Sequence, residues 1–114
     1  MYKAKVEFII EMIENIEFIV NRHGSITKAL SDIEGQMAIL MAIAQIGETL
    51  KKIDDNIIKR YDLIEDKEGA YYTRNYIVHD YEGVDLAFID NIVRKYLPKL
   101  KDKMQKIKDE NWKN

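Results

Sequence analysis

The sequence predicts an all-α protein, an antiparallel bundle of about four long helices in a single domain spanning residues 1–114. Three observations carry this. Apolar residues recur at steps of three and four over long stretches. No segment alternates apolar and polar residues as a half-buried strand would. One proline and five glycines in 114 residues leave few breaks. A chain of this length can bury one core but not two independent ones.

The first helix is expected over roughly residues 2–23. Val6, Ile9, Ile10, Ile13, Ile16 and Val20 form one apolar stripe, and Phe8, Met12 and Ile19 form a second beside it. Together they cover more than half the helix circumference, too much for one neighbour, so this helix lies between two others or partly in a subunit interface. His23 and Gly24 read as an ordinary stop, with a basic side chain in the last turn and glycine at the left-handed position beyond it. After a connection, "SITKALSDIEG", a second helix is expected from about Gln36 to Ile53, reaching as far as Tyr61. Gly47 in its middle costs up to ~1 kcal/mol relative to alanine, which points to close approach by another backbone. Met37 and Met41 fall on its apolar arc and read as core filling.

The polar stretch "DLIEDKEG" at 62–69 reads as a loop, with a third helix from about Ala70 and a break at Gly83. Asp85 is placed to cap a fourth helix, whose stripe runs through Ile89, Ile92, Val93, Tyr96, Leu100, Met104 and Ile107. Pro98 falls inside that pattern. The stripe resumes beyond it, so the helix should kink near Arg94 to Leu97 rather than end.

Composition narrows the chemistry. With no cysteine, disulfides, thiolate metal sites and thiol catalysis are excluded, which fits a cytoplasmic protein. Glu7, Glu11, Glu14 and Glu17 interrupt the N-terminal apolar run at helical spacing, so it reads as neither a signal peptide nor a membrane span. The net charge of −2 argues against a generally basic nucleic-acid surface. One local exception is "RKYLPKLKDKMQKIK" at 94–108, with seven Lys/Arg against Asp102 alone. It reads either as a solvated helix face or as an electrostatic guide for RNA phosphates.

The stretch "RNYIVHDY" at 74–81 carries the remaining chemistry. The chain has two histidines, far apart, and lacks HExxH, a glycine-rich phosphate loop and an Asp-rich calcium loop. Histidine exchanges protons near neutral pH, and the arginine fork stays charged and matches two phosphate oxygens. His79 and Arg74 are thus suited to attack on a phosphodiester, with proton transfer at one and stabilisation of the developing oxyanion at the other. With RNA the adjacent 2′-hydroxyl can be the nucleophile, so no metal is required. Asn75, one turn before His79, can orient the imidazole or bind a phosphate oxygen. Five residues at about 100° each set Arg74 and His79 roughly 140° apart on a straight helix, while Arg74 aligns with Tyr81. The pair therefore needs an irregularity in the helix or a second protomer. The same residues also fit an exposed helix end, where His79 is favoured by the dipole.

The segment "TRNYIVHDYEGVD" resembles the signature of HEPN toxins paired with minimal nucleotidyltransferases, the HepT-like family. Arg74, Asn75, His79 and Tyr81 match it position by position. "IAQIGETLKKI" at 43–53 and "VRKYLPKLKDKM" at 93–104 resemble its second and last long helices. The chain departs from the family pattern at Lys67 and Tyr72, where tryptophan and glycine are usual. The resemblance implies a HEPN-like helical homodimer with a composite, metal-independent endoribonuclease site built from Arg74 and His79, and no cofactor. It further implies an antitoxin partner, a nucleotidyltransferase that transfers AMP to Tyr81. The alternative is a non-catalytic helical adaptor or substrate-binding partner of such a nucleotidyltransferase.

Overall fold

The computed structural model describes residues 2–111, and every described element is helical. Four long helical stretches form the bundle, α1 (Tyr2–His23), α3 (Ile33–Lys51), α5 (Ile64–His79) and α7 (Leu97–Asn111). Short helices α2 (Ile26–Ser31), α4 (Asp55–Arg60) and α6 (Leu86–Asn91) lie between them. The helix α3 packs between α1 and α5, and α1 packs between α3 and α7. Neighbours run antiparallel. Glu48 meets Arg74 while Lys51 meets Tyr71, and Lys108 meets Glu7 while Lys101 meets Glu17.

The first stripe of α1 is the core: Val6, Ile9, Ile10, Ile13 and Ile16 are buried. Met12, Ile19 and Val20 of the wider arc pack against that core from its edge. Most of this arc is thus covered by neighbours within the chain, and Phe8 is half-buried. His23 is a structural tie. Its Nδ1 lies 2.8 Å from the Ile19 carbonyl and its Nε2 3.1 Å from Asp32 Oδ2. Gly24 adopts φ +95°, the left-handed stop expected after it. Asp32 caps α3 by accepting the Gly35 N–H at 2.9 Å. That bond, with His23 beside it, holds the Asp32 carboxyl below its ordinary range.

Three boundaries differ from the sequence expectation. The connection 25–35 contains α2, and α3 begins at Ile33, because Ser25 and Asp32 each accept a backbone N–H as caps. The second long helix stops at Lys51, and α4 is separate from it. Most of the stretch 62–69 is helix: α5 starts at Ile64, and Glu65 and Asp66 are acids in its first turn, where the dipole favours negative charge. The turn itself is confined to the residues around Asp62, at φ 57°. Met37 and Met41, expected in the core, are exposed.

The C-terminal half follows the expectation closely. Asp85 Oδ1 accepts the Ala87 N–H at 2.9 Å and caps α6. From there the chain is helical through to Asn111, and the irregularity ahead of Pro98 is a π turn over Ile92–Tyr96. Leu97 donates its N–H to the carbonyl of Ile92, five residues back. A wider turn at this place accommodates a proline that has no N–H to give. Among the described residues, no helix is long and apolar enough to cross a membrane.

Candidate functional site

The seat of the site is the α3–α5 contact. A Cβ on Gly47 would lie 2.4 Å from the Ala70 carbonyl oxygen and 2.8 Å from Arg74 Cβ, so only glycine lets the two helices approach this closely. The sequence reading of Gly47 as a close-approach position holds. The consequence is local: the next residue, Glu48, comes within reach of Arg74.

Arg74 is held on two sides. Its Nε lies 3.1 Å from Glu48 Oε1, and its Nη1 donates to Asn75 Oδ1 at 2.8 Å. Glu48 Oε1 is itself buried and makes no aligned hydrogen bond, so the charge of Arg74 is what compensates it. Tyr71 lies beneath two cations, Lys51 Nζ at 4.0 Å from the ring centroid and Arg74 Cζ at 5.7 Å. Arginine has five N–H donors, so those not turned toward Glu48 and Asn75 remain for an oxyanion.

Arg74 and Tyr81 line one concavity of about 270 Å³, together with Met41, Gln45 and Val78. Tyr81 is 41% exposed, at the start of the 3₁₀ turn that follows α5. His79 is the last residue of α5, is exposed, and is not part of that concavity. The helix is regular α through this point, and the Asp80 N–H donates to the Tyr76 carbonyl at 3.1 Å. The chain therefore places Arg74 and Tyr81 in one concavity and bonds Arg74 to Asn75, while His79 lies on the Asn75 face of the helix, outside that concavity. No bend in α5 closes the gap.

Two side chains that matter here were not singled out from sequence. Glu48 fixes Arg74 from α3, and its signal was the glycine immediately before it. Tyr76 fixes the segment after the motif: its hydroxyl accepts the Asp85 N–H at 2.7 Å, and its ring meets Phe88 edge to face at 5.8 Å. Four of the seven cations in the run 94–108 form ion pairs within the chain. Arg94 pairs with Asp90 at 2.9 Å, Lys101 with Glu17 at 3.0 Å, Lys103 with Asp66 at 2.8 Å and Lys108 with Glu7 at 3.9 Å. Asp66 also accepts from the Tyr96 hydroxyl at 2.7 Å. Among the described residues, no group of three or more acidic or histidine side chains is arranged to hold a metal ion.

Comparison with known proteins gives a consistent result. The family model described as "Ribonuclease HepT-like" matches residues 9–107. A protein of Thermococcus cleftensis named "Probable ribonuclease HepT" is 32% identical over 107 residues, covering 94% of this chain and 96% of that one. A Methanocaldococcus jannaschii protein named "Gamma-glutamylcyclotransferase and putative RNase" is 37% identical over 79 residues, covering 69% of this chain. Those 79 residues make up 35% of that longer relative. No solved structure matches the chain. The chain belongs to the HepT-like ribonuclease family and is by class an RNase.

Proposed function

We propose that this RNase is the toxin of a toxin–antitoxin pair, a cytoplasmic, homodimeric and metal-independent endoribonuclease whose cleft joins Arg74 of one copy to His79 of the other. The observation that carries this reading is the separation of the two residues on a regular helix, with Arg74 facing the Tyr81 concavity and His79 on a different face. One chain alone does not assemble the pair. A second copy related by a two-fold axis can bring its own α5 end alongside.

The surface offers a place for it. Ile33, Met37 and Met41 follow one another at four-residue steps on α3 and are exposed, as is Val78 beside Met41 in the concavity. Apolar side chains in such a continuous row are the kind of surface that a partner covers. We assign that partner as a second copy of the chain, because the row leads directly to Arg74.

In the proposed reaction His79 takes the proton of the 2′-hydroxyl, and the 2′-oxygen forms a bond to phosphorus. The bond to the 5′-oxygen breaks, and that oxygen receives a proton from the His79 imidazolium so formed or from water. The products are a 2′,3′-cyclic phosphate and a 5′-hydroxyl. Arg74 faces the non-bridging oxygens as charge accumulates on them, with Asn75 and Glu48 keeping its guanidinium in place. A minimal nucleotidyltransferase silences the site by transferring AMP from ATP to the Tyr81 hydroxyl, with pyrophosphate leaving. Tyr81 shares its concavity with Arg74, so the adduct fills the cleft and sets a negative phosphate beside the arginine.

The test is RNA degradation by purified protein in excess EDTA. Wild type should cut and His79→Ala should not, while remaining folded and dimeric. Equal inertness of the two unmodified proteins would favour the adaptor reading instead. Intact mass after co-expression with the nucleotidyltransferase should show an AMP adduct that Tyr81→Phe lacks.

A further inference from the structure

A second and larger concavity, about 580 Å³, opens between α4 and α5, and the site described above does not use it. Its wall on α5 includes Glu68, Tyr72 and Asn75. These residues lie four and three apart, and His79 follows four further on, so all four share one helix face. The concavity is thus laid out along the same edge of α5 as His79, about one to three turns before it. Asn75 joins the two places, because it lines the concavity and accepts from Arg74.

The lining has the chemistry of a single-stranded nucleic acid groove. Tyr72 is 68% exposed, an aromatic face open to solvent. Tyr71 beside it is already covered by Lys51. Three lysines, Lys51, Lys59 and Lys67, face two acids, Asp55 and Glu68. Lys67 and Asp55 pair at 3.0 Å, and Asp55 also feels the charge of Lys59, so the lining holds three lysines against two acids. An exposed ring flanked by an excess of lysines over acids suits a base stacked on the ring with its phosphates toward the lysines.

We propose that the α4–α5 concavity binds a nucleotide of the RNA strand flanking the scissile phosphate, with Tyr72 as its stacking surface and Lys51 and Lys59 as phosphate contacts. This rests on the ribonuclease reading above and deepens it. The site sets where along a single strand the phosphate meets His79, and it favours unpaired RNA, whose bases are free to stack.

The experiment uses the full-length protein and a single-stranded oligoribonucleotide carrying 2-aminopurine beside the cleaved position, in EDTA. Wild type should cleave it and quench the 2-aminopurine on binding. Tyr72→Ala should raise KM roughly tenfold with little change in kcat and lose the quenching, while Tyr72→Trp restores both. Replacing Lys51 and Lys59 by glutamine should make the slope of log K against log salt shallower by about 0.7 per lysine. If wild type cleaves and Tyr72→Ala keeps its KM and its quenching, the subsite is overturned and the ribonuclease reading stands. If wild type neither cleaves nor binds, the ribonuclease reading fails and takes the subsite with it.

Discussion

The C-terminal helix and the end of α5 are both dense in charged residues, and the fold uses them in opposite ways. Along α7 three of the five lysines pair within the molecule, and Lys99 and Lys106 are exposed. Lys101 and Lys108 tie α7 to α1 through Glu17 and Glu7, and Lys103 joins Tyr96 on Asp66 at the head of α5. At the end of α5 the balance shifts: Arg74 is fixed by Glu48 of α3 and by Asn75, while His79, Asp80 and Tyr81 stand exposed. Charge density in the sequence does not distinguish the two. What does is whether each charge finds its partner across a helix contact.

The sharpest way to break this contrast is to remove one residue from each side. His79→Ala should lower RNA cleavage by about 100-fold or more with an unchanged melting temperature, since a positioned acid–base group is worth about that. Replacing Lys101 and Lys108 together by glutamine should leave cleavage near the wild-type rate. The opposite outcome would make α7 the site. Next in size is Gly47→Ala. Its new Cβ meets Ala70 backbone and Arg74 Cβ, neither of which can swing away, so chemical denaturation should show a loss of about 1–3 kcal/mol. Cleavage should fall with it, because Arg74 is displaced from Glu48.

A pH titration probes the structural side. Burial, then the bond to Asp66, pushes the Tyr96 phenol above its ordinary value of 10.0, and the bond to Asp66 raises Lys103 above 10.5. Groups raised in the folded state contribute stability that is complete below their unfolded values and is lost as pH rises through the folded ones. Melting temperature should therefore fall from about pH 10 upward, and Tyr96→Phe should make that fall shallower. The smallest effect belongs to Lys101→Ala, a partly exposed pair with Glu17, which should cost less than ~1 kcal/mol in the same denaturation assay.

The fold was legible where periodicity and caps agree. The stripe of α1, the Asp85 cap and the irregularity before Pro98 all follow from residues a few positions apart. The start of α5 was not, because Glu65 and Asp66 look like loop residues until the helix dipole is counted. Nor was the exposure of Met37 and Met41, since an apolar stripe does not say which of its sides meets a neighbour. The motif Arg74, Asn75, His79, Tyr81 was legible as a pattern, and the roughly 140° step between Arg74 and His79 already required a partner or a bend. The hold of Glu48 on Arg74 was hidden, because it joins residues on two helices. The departures at Lys67 and Tyr72 gained meaning only in three dimensions, where both line the α4–α5 concavity.

The central claim, that Arg74 and His79 act across two copies, is tested most directly by mixing two inactive proteins. Arg74→Ala and His79→Ala should each fail to cleave RNA alone. Arg74→Ala needs a check of its fold, since it strands the buried oxygen of Glu48. Once subunits exchange, the mixed dimer holds one cleft with both residues intact. Cleavage should return, to as much as half the wild-type rate per mixed dimer. No recovery, with exchange of subunits verified by native mass spectrometry, would contradict the composite site.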